Sequence, residues 1–306
     1  MPPRPHRPET LAWQVFRGSD AVRDDLLTEH QLRSTAWVRL RHDVYADARL
    51  DRDHALACRA ALLRLPPGVV VAGPSAAYLH GVQHAATFTD DVHILVPSPL
   101  RIGAQRGLRV HANPITPLPD VAAECSAGVG NAIPRSDPGQ AAWETAVWLE
   151  PVRAVTIVDA LLGQGLTDRD TLAGVAAHNM HRSGGRRARW VFELADPGAQ
   201  SPPESQLRVR LVLGGLPRPV VQHPVRLANG VVLHLDLAWP QFRVAVEYDG
   251  QWQSDADQLH RDRRRLNLLV GAGWLVLHVT SRRLHAEFPA VLREVRGALA
   301  GRGWRR

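Results

Sequence analysis

The sequence predicts an α/β chain: a C-terminal domain ordered α-β-β-β-α-β-α from about Ser201, preceded by an α+β region that opens with a short helix feeding a β-wing. Three observations predict it. Asn229-Gly230 lies between two β-branched runs, the strongest short hairpin signal a sequence offers. Helical and strand periodicities alternate on either side of it. The segment Asp196 to Pro203, rich in Pro, Gly and Ser, interrupts regular structure just before, which places a boundary near residue 200. With 306 residues to distribute, the reading is a region 1–60, a middle region 61–200 and a domain 201–306.

From the start, Thr28 and Gln31 form a helix-capping pair in "LLTEHQLRSTAWVRLRHDVY", and Trp37 onward alternates as a strand. That unit has the shape of a winged-helix DNA reader or of a small docking domain, and its mixed charges leave both open. A helix follows over Asp53–Leu65, then Pro66-Pro67-Gly68, a strand over Val69–Val71 and a helix starting at Ser75. Residues 88–150 mix short strands, Val92–Val96 and Leu108–His111, with loops. Ala154–Thr167 and Thr171–His181 read as helices. Ser183-Gly184-Gly185-Arg186-Arg187 reads as a break.

In the last third, Pro203–Gly214 reads as a helix with Glu204 in its first turn, where an acid also suits the helix dipole and serves as a cap. Strands follow over Val220–Leu227 and through "VVLHLDLAWP". Strict alternation puts Val231, Leu233, Leu235 and Leu237 on one face, and Val232, His234, Asp236 and Ala238 on the other. Asp236 is thus a lone acid in an apolar strand, and a carboxylate there costs free energy unless paired or bound to a cation. In Arg243–Asp249, Glu247 and Asp249 share a face, about 7 Å apart. Carboxylates converging in this way repel one another unless a divalent cation neutralises them, and oxygen ligands suit Mg²⁺ or Mn²⁺. The competing reading is a solvated sheet edge paired with Arg208 and Arg243. Gln251–Gly271 then reads as a loop and a helix that buries Leu259, Leu266, Leu269 and Val270, with Arg261, Arg264 and Arg265 facing out to hold phosphates. Trp274–Thr280 is a fourth strand and Leu284–Leu299 a last helix.

Charge supports a polyanion partner. All 37 basic residues are arginine, which excludes lysine Schiff-base chemistry. Counted along the sequence, residues 201–306 hold 16 Arg against 9 acids, and residues 1–200 hold 21 against 21, so the whole net charge of +7 lies in the last third. The two cysteines, Cys58 and Cys125, read as packing residues of a reducing compartment. No apolar run of about twenty residues occurs, so the expectation is a soluble, cytoplasmic protein with no membrane partner.

The helix with Glu204, the strands "HLDLAWP" and "VAVEYDG", the helix "HRDRRRLNLLVGAGW" and the strand "LVLHVT" together resemble the domain-of-unknown-function 559 family, relatives of very-short-patch-repair endonucleases in the PD-(D/E)XK superfamily. The resemblance covers about residues 201–300. It implies a restriction-endonuclease-like fold, with Glu204, Asp236 and Glu247 as the expected acidic positions; Asp249, on the same strand face as Glu247, joins them in the catalytic cluster. Asp236 and Glu247 would be the principal metal ligands, with Glu204 beside them. It further implies DNA as partner and Mg²⁺-dependent phosphodiester hydrolysis. Two positions depart from that pattern: Asp249 stands where the superfamily has lysine, and Gln253 where relatives carry a histidine. His234, His260 and His278 lie nearby and read as structural. The helix-wing at 26–45, "GPSAAYLHGV" at 73–82 and "AVTIVDALL" at 154–162 resemble, more loosely, AbiEi-type antitoxin modules. That implies a winged-helix-like start and a toxin–antitoxin or defence partner. Two functions follow: a metal-dependent deoxyribonuclease, or a DNA-binding regulator that keeps the nuclease fold as a platform.

Overall fold

A computed structural model describes residues 5–113, 132–227, 230–250 and 256–305. It is a mixed α/β chain with three small sheets, and it divides into two compact units, 1–148 and 149–306. In the first unit β1 (Val15–Arg17) leads into α1 (Gly18–Arg23). Thr28 and Gln31 cap reciprocally, the Thr28 N–H donating to Gln31 Oε1 at 2.8 Å and the Gln31 N–H to Thr28 Oγ1 at 3.2 Å. The turn so fixed, a 3₁₀ segment at Gln31–Arg33, delivers the chain to β2 (Trp37–Arg41) and β3 (Val44–Asp47). The antiparallel sheet runs β1-β3-β2 around Phe16 and Trp37.

Asp53 then caps α2 (His54–Leu62), and β4 (Val70–Val71) leads to α3 (Gly73–Leu79). Helix α3 begins two residues before Ser75 because Pro74 suits the first helical turn. Strands β5 (Val92–Pro97) and β6 (Leu108–Asn113) pair in parallel, with β4 antiparallel to β5. Residues 138–148, expected among loops, form α4 (Pro138–Trp148), and Glu144 reaches from it to the start of α3. There it accepts from the Gly73 N–H at 2.7 Å, Ser136 Oγ at 2.9 Å and Gln140 Nε2 at 3.1 Å. Gly73 has φ +53, and a Cβ on it would stand 2.6 Å from the Trp148 ring, so no larger residue fits. Cys58 is buried in this unit's core, its thiol pushed up to about 12 by loss of solvent, as expected of a packing residue. Cys125 lies outside the described residues.

The second unit opens with α5 (Pro151–Gly163), α6 (Arg169–His178) and α7 (Gly185–Leu194). The break expected at 183–187 is the start of α7: Gly184 takes the left-handed conformation at φ +86, which turns the chain into the helix. Next come α8 (Pro202–Leu213), β7 (Val220–Arg226), β8 (Val232–Trp239), β9 (Val244–Asp249), α9 (Ala256–Gly271) and β10 (Leu275–Thr280). The last helix is split by Glu287 into α10 (Ser281–Ala286) and α11 (Phe288–Gly301), because Pro289 can only start a helix. The sheet order is β10-β9-β8-β7, with β10 parallel to β9 and the other pairs antiparallel. Pro224, which has no N–H to donate, sits on the edge strand β7. Asn229 lies outside the described residues.

The boundary near residue 200 does not divide these contacts. Asp159 of α5 and Arg208 of α8, both fully buried, pair at 2.7 Å, and Ser205 Oγ donates to the same carboxylate at 2.6 Å. Arg169, Arg208 and Arg218 together cap the C-terminus of α7, donating to the carbonyls of Glu193, Leu194 and Ala195. The expected middle region 61–200 is thus shared between the two units. Among the described residues no helix is long and apolar enough to cross a membrane.

Candidate functional site

The sheet of the second unit separates two apolar clusters. One holds Leu237, Trp239, Val244, Val246 and Val279 with α8, α10 and α11; the other holds Val225, Leu235, Ala238, Ala245 and Leu269. Strict alternation would put Leu235 with Leu237, and the structure puts them on opposite faces. The reason is a local fault in the ladder. Val221 pairs with Leu237 and His223 with Leu235, but Gln222 and Asp236 between them are not paired. Gln222 has φ +49, a left-handed backbone that is uncommon outside glycine and reverses which face the following residues meet. Val270 is also displaced from its expected place: it is 58% exposed, and Leu268 packs beside Leu269 instead.

The four candidate acids gather around this fault but do not converge on one point. Asp236 accepts from Gln222 Nε2 through Oδ1 at 3.2 Å and from the Tyr248 N–H through Oδ2 at 2.9 Å. The pairing of β8 with β9 ends at Leu237–Val246, and the carboxylate takes the Tyr248 amide beyond it. Glu204, 8% exposed, accepts from the same Gln222 Nε2 at 3.2 Å, from Ser201 Oγ at 2.8 Å and from the Gln200 N–H at 3.1 Å. Its capping role is therefore real, with Ser201 as N-cap, and one amide nitrogen also joins it to Asp236. Glu247 pairs with Arg265 at 2.6 Å, and Asp249 with His278 Nδ1 at 3.1 Å.

Repulsion among these acids is thus relieved by side chains. The hydrogen bond and charge of Asp249, opposed by partial burial and helped by the charge of Glu247, raise the His278 pKa. Arg265, expected to face outward to phosphate, turns inward: its guanidinium bonds both Glu247 and the His234 carbonyl. Arg261 and Arg264 are exposed. Arg208, the expected partner of a sheet-edge cluster, belongs instead to Asp159, and the Arg243 side chain lies against Gly273. Gln253 and the side chain of His260 lie outside the described residues.

Among the described residues no group of three or more His, Cys, Asp or Glu side chains is arranged to hold a metal ion. Glu204 Oε2 and Asp236 Oδ1 share a single donor, the Gln222 amide nitrogen, at 3.2 Å each. Gln222 is the residue that sequence reasoning missed. In the first unit, His54 Nε2 and Ser75 Oγ meet at 2.8 Å as a base and a hydroxyl nucleophile would, but at 1% and 0% exposure no substrate reaches them.

Over 252 residues the chain is 29% identical to an uncharacterized protein of Mycobacterium tuberculosis, Rv2248 in strain H37Rv and MT2308 in strain CDC 1551, with 81% of this chain and 87% of the relative aligned. No protein-family model matches the chain. No solved structure matches it.

Proposed function

We propose that the second unit is a metal-dependent DNA endonuclease of the restriction-endonuclease-like kind, with its site at the fault between β7 and β8. The observation that carries this reading is the meeting of Glu204 and Asp236 on one Gln222 amide, with the buried apolar Leu235 and Leu237 on either side of Asp236. Two carboxylates held together in that setting are poised for a cation. Glu204 and Asp236 would hold Mg²⁺ or Mn²⁺, and Glu247 would join them on leaving Arg265. A bound Mg²⁺ supplies Lewis acidity at a phosphate oxygen and an activated water. The chain's own residues do the rest. Tyr248's amide and Gln222 fix the Asp236 carboxylate, His278 carries a proton beside Asp249, and Arg261 and Arg264 offer guanidinium groups to DNA phosphates. The protein works in the cytoplasm, with a toxin–antitoxin or defence partner.

The test is incubation with supercoiled plasmid in Mg²⁺, in Mn²⁺ and in chelator, beside the Asp236→Ala protein. Nicking that needs the metal and disappears in the variant is the expected result. One observation favours a second reading, a DNA-binding regulator: Arg265 and His278 already neutralise Glu247 and Asp249. Metal-independent gel retention of DNA without nicking would select that reading and end the first.

A further inference from the structure

Helix α7 presents two faces of opposite character. Ala188, Val191 and Phe192 are buried, whereas Arg186, Arg187, Arg189 and Trp190 are exposed. Residues 181–190 hold four arginines and no acid. Arg187 is tied to the Leu149 carbonyl, but among the described residues no carboxylate pairs with Arg186 or Arg189. Their spacing, with Trp190 following, is i, i+3, i+4, so the three side chains share one stripe about 6 Å long. The indole is 39% exposed, a large apolar surface left in water beside two free guanidinium groups.

We propose that this face of α7 docks a single-stranded stretch of nucleic acid, Arg186 and Arg189 holding successive phosphates and Trp190 stacking on an unpaired base. Guanidinium forks match phosphate oxygens, and an exposed aromatic plane gains most from a base outside a duplex stack. A membrane is a poor occupant, because an interfacial helix inserts an apolar face and the apolar face of α7 is already buried in the protein. The proposal rests on the reading that this chain acts on nucleic acid. It adds a contact outside the carboxylate site and outside α9.

The test measures fluorescence anisotropy of a labelled mixed-sequence DNA strand, and of its duplex, with the full chain in chelator so that no cleavage intervenes. Replacing Arg186 and Arg189 by Ala should lower the log–log salt slope for the single strand by about 1.4, two phosphates at about 0.7 each. Trp190→Ala should weaken single-strand binding by at least about five-fold and duplex binding less, with Trp190→Phe restoring most of it. Variants that melt like the parent and keep its affinity and slope would overturn the proposal. So would no binding of either DNA by the parent, or equal capture of polyglutamate that Trp190→Ala does not alter, which would assign the face to an acidic protein. Plasmid nicking is read separately. A protein that nicks but whose α7 variants bind normally loses only this proposal, and one that never nicks but loses strand binding in the variants loses only the nuclease reading.

Discussion

Gln222 does two things at once: its backbone takes a left-handed conformation and its amide joins two carboxylates. Such a backbone costs of order 1–3 kcal/mol and persists where surrounding contacts hold it. Removing the amide should therefore cost more than one lost hydrogen bond, since two acids would face each other without a shared donor. Gln222→Ala is expected to lower stability by about 1–3 kcal/mol in urea titration, and the loss should shrink in an Asp236→Asn background. Equal losses in both backgrounds would show that the two carboxylates do not act on each other. Asp236 was legible in the sequence because a charge in an apolar strand demands a partner. Asp159, inside "AVTIVDALL", carries the same signal and leads to Arg208. Gln222 was not legible: a neutral amide in an edge strand is unremarkable, and nothing in its identity announces φ +49. Arg265 was not either, since which arginine of "HRDRRR" meets Glu247 depends on how the crossover helix lies on the sheet.

At the scale of elements, the start of α3 depends on an acid from another helix. Loss of solvent pushes the Glu144 carboxyl up to about 7, against the three donors that favour its charge. The folded value lies above the ordinary one of 4.5, so the folded state holds this proton more tightly. The stabilisation is fully present below about 4.5 and is lost as pH rises through about 7. Glu144→Gln should flatten the melting temperature against pH across that window; an unchanged slope would remove Glu144 from the account. Helix α4 escaped the sequence reading because its Pro-Gly start resembles a loop and its Ala-rich interior shows little amphipathic period. Helix α7 escaped because Gly184 and Gly185 stand at its cap and first position. Strands β4 to β10 and helices α8, α9 and α5 were legible, because strong periodicity and Asn-Gly, Pro and Gly punctuation act locally.

At the scale of the whole molecule, the buried pair Asp159–Arg208 joins α5 to α8 while Arg208 also holds the end of α7. Taking away one member leaves the other charged and dry. Arg208→Ala is expected to cost about 3–5 kcal/mol, read from urea unfolding, whereas Arg208→Met with Asp159→Leu should recover much of it. A single variant as stable as the parent would refute the buried-pair argument. Proline and glycine near residue 200 mark a break in secondary structure, whereas the contacts of Arg208 and Ser205 continue across it.

The three arginines at the end of α7 also bear on how such a chain can be shuffled by recombination. Two of them, Arg208 and Arg218, come from after the Pro-rich turn, while the carbonyls they hold come from before it. A gene fusion that exchanged everything up to residue 200 would have to bring a new helix end with carbonyls in the same places and a new buried acid for Arg208. A fusion that exchanged everything up to Trp148 would need neither. A segment that could be exchanged without rebuilding these contacts is therefore longer than the sheet it carries, and includes the three helices that lead into it.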